Sequence, residues 1–419
     1  MTVTALETLQ QSKSRLLAAA KAQEEAMVGF LRDMIAIPGE SSHEGAVIQR
    51  IRQEMEKVGF DEVHIDPMGN ILGKIGNGRH VLMMDAHTDT VGVGSPREWQ
   101  WDPYKGKVEG GYIYGRGACD QRAGMASMVY AGKMIKELGL LGDYTLWVVG
   151  SVQEEDCDGL PWLYILRESG IKPELVFITE PSSLRIHRGQ RGRMEIEVHI
   201  QGRSCHASAP ERGDNPIYRM TKLVREVEEL NERLRVDPFL GKGTIAVTQI
   251  RSLSPSLCAV PSTCSIHLDR RLTAGDTKES ALAEIRALPS AQGAEIEVLQ
   301  YAQSSHTGLL YPMEKYYPTW VLEESHPAVR AAVETGLQLT GKEPVVDKWT
   351  FSTNGVGSMG ICGVPTMGLG PGDEACAHTV NERVAIDDLV KAAQFYAAFP
   401  LMYVHTVEAA ARAQATVAH

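Results

Sequence analysis

The apolar residues of this chain fall into two textures. Up to about Glu180, short continuous apolar runs alternate with helical stretches. Val81 to Met84 is such a run, and Thr145 to Val152 and Leu175 to Thr179 repeat it, as strands buried on both faces do. Between them Gly45 to Val58 reads as a helix. So does Gly124 to Leu138, with Met125, Met128, Val129, Gly132 and Ile135 on one face. This βαβ alternation predicts a mostly parallel sheet covered by helices on both faces. From about Arg191 the texture changes. "GRMEIEVHIQG" alternates with period two, as a strand with one wet face does, and "NPIYRMTKLVREVEELNERL" reads as a long amphipathic helix. "GTIAVTQIRS" and "STCSIHLDRRL" follow as strands, then a helix and "AEIEVLQ". The order β-α-β-β-α-β predicts a small antiparallel sheet with two helices on one face. A helix returns from about His326, and "VPTMGLG" is again a short buried strand.

The expected fold class is therefore α/β. A mostly parallel-sheet catalytic domain, residues 1–190 and 304–419, is interrupted by an inserted α+β, ferredoxin-like lid at residues 191–303. A length of 419 residues suits two cores better than one.

Composition narrows the partners. Lys and Arg number 42 against 53 Asp and Glu, and a net charge of -11 repels nucleic acid and anionic membranes alike. No apolar run approaches the roughly 18 residues that span a bilayer. The opening segment reads as a charged amphipathic helix without the apolar core of a secretory signal. Seven cysteines without a CxxC pair suit a reducing compartment. The expectation is a cytoplasmic protein without nucleic-acid or membrane partners.

The chemistry lies where the strands end. "VLMMDAHTDT" runs from an apolar strand into Asp85, His87 and Asp89. Glu154 and Glu155 follow the next strand and Glu180 the one after, at the carboxyl ends where open α/β sheets gather their ligands. Asp120 lies in the Gly-rich turn "GRGACDQRAG", and His378 in "CAHTVNE" follows the late strand. Two imidazoles and several carboxylates without a thiolate suit Zn²⁺, or Mn²⁺ and Co²⁺. One carboxylate, Asp120, can bridge two metals, leaving a His and a carboxylate for each. Glu154 and Glu155 are chain neighbours that point apart, so one can bind metal while the other handles protons. Asp89, two residues past His87, faces the same side and can accept the imidazole's second N–H.

The stretches "MMDAHTDTV", "GRGACDQRAGMASMVYAGK", "SVQEEDCDG", "ITEPSS", "GRSCHASAPERGDNPI" and "AHTVNERV" resemble, in order, the motifs of the M20 di-zinc amidohydrolases and peptidases. That group includes acetylornithine deacetylase, succinyl-diaminopimelate desuccinylase and glutamate carboxypeptidase. The resemblance implies two divalent ions per subunit, zinc with cobalt or manganese as alternatives, held by His87, Asp120, Glu155, Glu180 and His378 with Asp120 bridging. It makes Glu154 the general base and Asp89 the partner of His87. It also implies a homodimer paired through the lid, with His206 entering the partner's site, Arg271 meeting the substrate carboxylate and Asn215 near the substrate. "GRGACDQRAG" and "WTFSTNGVGSMG" are most similar to the branch described as selenium-metabolism-linked hydrolases. Many relatives carry Gly-Gly-Thr/Ser-Asp before the final His, whereas this chain has Phe351, Ser352, Thr353, Asn354 and Gly355. That departure leaves the substrate open.

Several residues have plainer readings. Asp85 is expected to brace the turn after its strand, and the remaining histidines to be surface or satisfied core groups. The cysteines beside site residues, Cys119, Cys157, Cys205 and Cys376, read as packing groups. "ESSHEGAVIQRI" reads as a helix start with a Ser cap. The expected activity is metal-dependent hydrolysis of an amide-type C–N bond in a small amino-acid or peptide substrate bearing a carboxylate. The alternatives are hydrolysis of a carbamoyl or ureido compound on the same site, and a non-catalytic receptor, which has no need of Glu154.

Overall fold

The computed structural model describes residues 5–417. At the centre of its large sheet four neighbouring strands, Tyr144–Ser151, His80–His87, Leu175–Ile178 and Thr366–Gly368, run parallel. Antiparallel strands flank them: Ile71–Ile75 and Glu62–Ile65 on one side, Ile186–Gln190 and Trp320–Val321 on the other. The central strands are apolar throughout because both faces are covered. Leu82, Met84, Leu146, Val148, Leu175 and Phe177 enter one core, while Met83, Trp147, Val149, Val176 and Ile178 enter another on the opposite face. Helices Arg122–Leu138 and Ile386–Val417 belong to the first core and Leu160–Glu168 contributes Trp162 and Ile165 to the second.

The smaller sheet has the strand order Thr244–Leu253, Thr263–Leu272, Gly192–Gln201, Glu295–Val298, antiparallel throughout. Period two divides it as expected. Met194, Ile196, Val198, Ile200, Ile266 and Leu268 pack against helices Pro216–Arg233 and Lys278–Arg286, while Arg193, Glu195, Asp269 and Arg271 occupy the other face. A short strand at Tyr316–Tyr317, past residue 303, also pairs with Gly192–Gln201.

Two local expectations are corrected. The amphipathic opening forms two helices, Ala5–Ala22 and Glu24–Ile35, with Gln23 between them. The helix Gly45–Lys57 has no serine cap: its N-cap is Glu44, without a capping side-chain bond. The serine signal was local, and a distant acceptor outcompetes it, for Ser41 Oγ donates instead to Asp89 Oδ2 at 2.7 Å. Among the described residues no helix is long and apolar enough to cross a membrane.

Candidate metal centre

Sheet topology assembles the site. His87 is the last residue of its strand, Glu154 and Glu155 follow Ser151, Glu180 follows Ile178, and the loop after Gly368 leads to His378. These parallel strands end on one edge, so residues nearly 300 positions apart share a crevice. Gly370 is required there, because a Cβ would collide with the backbone oxygens of Thr179 and Glu180.

Asp120 stands between the two imidazoles. Its Oδ1 is 2.8 Å from His87 Nε2, and its Oδ2 is 3.2 Å from His378 Nε2. Glu180 Oε1 lies 3.7 Å from His87 Nε2, and Glu155 Oε2 lies 3.0 Å from His378 Nε2. The five residues thus divide into two groups of one His and one carboxylate around a shared Asp. Glu154 Oε2 is 3.8 Å from His87 Nε2. All six line one cavity of about 300 Å³ together with Asp158, Arg193, Arg271, Phe351, Ser352 and Glu374.

The electrostatics fit a cation. Four carboxylates, Asp120, Glu154, Glu155 and Glu180, converge with little access to water. Burial pushes Glu155 up to about 7, with Asp120 adding to it. Burial and neighbouring acids, Asp158 and Glu180 for Glu154 and Asp120 for Glu180, raise both far above the ordinary carboxylate range. Burial alone would lower His87, yet Asp120 and Glu154 hold it well above its usual value. Contacts with Asp120 and Glu155 push His378 up to about 10. Glu154 Oε1 and Glu180 Oε2 are buried without a hydrogen-bond partner. The donors, carboxylate oxygen and imidazole nitrogen, form groups that could hold a metal ion.

The family model for peptidase family M20/M25/M40 matches residues 83–401, a span that contains every one of these residues. The chain belongs to that family. It is similar to YgeY of Escherichia coli strain K12, 56% identical over 393 residues that cover 93% of this chain and 98% of that protein. It is 26% identical to succinyl-diaminopimelate desuccinylase of Dinoroseobacter shibae over 88% of this chain and 97% of that one. Its fold is similar to the M20 family metallo-carboxypeptidase Sso-CP2 of Sulfolobus solfataricus, with TM-score 0.72, 18% identity and coverage of 90% and 99%.

The M20 chain is an amidohydrolase or peptidase, and further contacts hold its candidate metal-binding residues in place. His87 Nδ1 meets the backbone oxygen of Asp89 at 3.0 Å, and the Asp89 carboxylate stands farther off at 3.5 Å. That carboxylate accepts the N–H groups of Glu154 at 3.3 Å and Glu155 at 3.0 Å, as well as the Ser41 hydroxyl. Asp89 therefore braces the loop that carries both glutamates as well as the His87 ring.

Glu382, which the sequence reading left unassigned, anchors the loop that carries Asp120. Fully buried, it accepts from the backbone N–H groups of Cys119 at 2.8 Å, Asp120 at 2.9 Å and Gly117 at 3.2 Å, and pairs with Arg116 at 2.7 Å. Both partners stand inside quoted motifs, Arg116 in "GRGACDQRAG" and Glu382 in "AHTVNERV", which was the available signal.

The lid residues part company. Arg271 lines the cavity, where Asp269 holds it through Nε at 2.7 Å and Nη2 at 3.0 Å. Neither His206 nor Asn215 lines it. His206 is exposed, its Nδ1 2.7 Å from the hydroxyl of Ser208, and Asn215 caps the helix Pro216–Arg233 by accepting the Ile217 N–H at 3.0 Å. The cysteines are free, and burial raises Cys119 far above the usual thiol range and Cys157 to about 12, which suits packing groups.

Proposed function

We propose that this M20 enzyme hydrolyses an amide-type C–N bond in a small carboxylate-bearing substrate, an N-acyl amino acid or dipeptide, using two divalent ions per subunit, zinc first, with cobalt or manganese as alternatives. The observation that carries the reading is Asp120, which offers one oxygen toward His87 and the other toward His378. His87 and Glu180 would hold one ion, and His378 and Glu155 the other. When bound, the metal pair supplies Lewis acidity for the carbonyl and a water of lowered pKa. Glu154, with one buried oxygen unpartnered, would take the proton of the attacking water and return it to the leaving nitrogen. Arg271 would receive the substrate carboxylate through the guanidinium nitrogen that Asp269 leaves free.

The same reading assigns His206 to the site of a second subunit, where it donates to the developing oxyanion. Two observations support a pairing through the lid. His206 stays out of its own chain's cavity, and Thr244–Leu253 is an edge strand that exposes Ile250 and Leu253. Asn215 is joined to the His206 segment by the Arg203–Asp214 bridge and is assigned to the same crossing face. The unpaired cysteines suit a cytoplasmic enzyme.

The test is a panel of N-acyl amino acids, dipeptides and N-carbamoyl amino acids presented to metal-loaded protein, with mass spectrometry identifying the products. Release of a free amino acid from acyl or peptide substrates supports the proposal. Turnover confined to carbamoyl compounds moves the activity to that class, and none across the panel refutes the assignment.

A further inference from the structure

Arg193 lies directly opposite Arg271 in the antiparallel register of Gly192–Gln201 and Thr263–Leu272. Residues so paired point to the same face, and both of these line the metal cavity. Two like charges opposed across strands repel, and the nearby acids Asp158, Glu195 and Asp269 offset that repulsion and keep Arg193 charged. Asp269 takes two nitrogens of Arg271. Asp158 stands 3.3 Å from Arg193 Nη2 without an aligned hydrogen bond, and Glu195 is 3.7 Å from Nη1. Arg193 Nε and Nη2 consequently have no acceptor although they are buried, while 18% of the side chain remains exposed. The Tyr317 ring, 4.6 Å from Arg193 Cζ, fixes the plane of the guanidinium. The next arginine along is different: Arg270 is fully buried away from the cavity and bonds to Glu284 at 3.0 Å and Asp276 at 3.3 Å. Arg270 is built into the lid, whereas Arg193 is held at the cavity wall with donors to spare.

We propose that Arg193 is a specificity residue, forming with Arg271 a two-guanidinium clamp for a substrate carboxylate on the lid side of the metal centre. This rests on the hydrolase reading and narrows it. The preferred substrate carries a carboxylate remote from the scissile bond, and planar forks facing one another select that group over a neutral amide of the same shape.

The test compares succinate, glutarate and adipate with their monoamides as ligands of the metal-loaded protein, by isothermal titration calorimetry. Each monoamide keeps one carboxylate for the metals and changes only the group offered to the arginines. The native protein should prefer at least one diacid by roughly tenfold or more, the worth of one hydrogen bond to a charged group. Arg193→Met should lower that ratio several-fold, with Arg271 keeping a remnant of it, while metal content and monoamide affinity stay unchanged. Arg193→Lys, which keeps the charge without the fork, should retain part of it. If the Met variant does not fold, a ratio in the Lys variant equal to the native one overturns the clamp. So does a full ratio in a folded Met variant, or no diacid preference in the native protein. A diacid preference that tracks Arg193 in a protein that turns over nothing in the substrate panel keeps the clamp and refutes the hydrolase reading. Turnover with a ratio indifferent to Arg193 does the reverse.

Discussion

Asn354 Nδ2 donates to Asp85 Oδ2 at 2.8 Å and also to Ser151 Oγ at 2.9 Å, while its Oδ1 accepts the Gly159 N–H at 3.1 Å. One amide thus ties together the strand that ends in His87, the strand that leads to Glu154, and the loop beyond. Asp85 does brace the site, but through a partner 269 positions away. Burial pushes its carboxyl up to about 6, so it depends on that partner. Asn354→Ala should cost about 3 kcal/mol in denaturant unfolding, because three buried groups lose their acceptor or donor. An unchanged midpoint would show the tie to be dispensable.

Glu154 and Glu155 should fail in different ways. Glu154→Gln keeps the shape but cannot accept the water's proton, and the loss of a general base typically slows turnover by about 10²–10⁴-fold. Its metal content should stay native. Glu155→Gln should instead lower metal content, measured by elemental analysis after reconstitution. Equal metal loss in both variants, or near-normal turnover in Glu154→Gln, would reverse the assignment.

Glu382 should matter to the metals without touching them. Glu382→Gln leaves the Arg116 guanidinium buried without its counter-charge, a loss of about 3–5 kcal/mol for a broken buried pair. The loop carrying Asp120 loses its anchor at the same time. Metal affinity should fall together with stability. Replacing Arg116 by Met in the same chain should restore part of the stability but not the metal affinity, because the N–H groups of Cys119 and Asp120 still lack the carboxylate.

The contrast between these residues shows what a sequence carries. An apolar strand that runs into several ionisable residues is costly unless the charges have a purpose, so His87, Glu154, Glu155 and Glu180 stand out. The parallel sheet then brings them to one edge by topology alone. Asn354 and Glu382 stand in stretches that the sequence singles out, but their roles leave no such trace, since their partners are backbone N–H groups and distant side chains. Ser41 misleads for the opposite reason: its neighbourhood spells a helix cap, while its hydroxyl answers to Asp89. Arg193 reads as one wet position on an alternating strand, and only the register opposite Arg271 singles it out.

His187 gives the fold an acid sensitivity separate from the metal centre. Its ring is buried edge-on to Trp349 with centroids 5.0 Å apart, and burial, with Arg185 and Lys348 nearby, lowers it to about 4. An unfolded histidine titrates near 6.5, so between those values the unfolded chain binds the extra proton and the folded one does not. Stability is complete above pH 6.5 and drains away as pH falls toward 4, by about 3 kcal/mol at most for this group. His187→Gln should flatten that part of the melting-temperature profile between pH 7 and pH 4.5. A native and variant profile of equal slope would exclude His187 as the source.

The assignment of His206 to a neighbouring subunit makes the strictest prediction. Within one chain this residue is exposed on the lid and does not line the cavity that holds Glu154. If a second lid covers that cavity, each complete site takes Glu154 from one subunit and His206 from the other. A symmetric pairing uses the same surface on both, consistent with an edge strand that presents unpaired backbone groups and the apolar residues Ile250 and Leu253. His206→Ala and Glu154→Gln should each be nearly inactive as homodimers. Mixed dimers contain one site with both defects and one with neither, so co-expression with different affinity tags and isolation of the doubly tagged species should recover up to about half the native activity per dimer. If the two groups act within one chain, every site of the mixed dimer carries one defect and activity stays at the level of the parents. A monomer fully active at assay concentration would remove the crossing altogether.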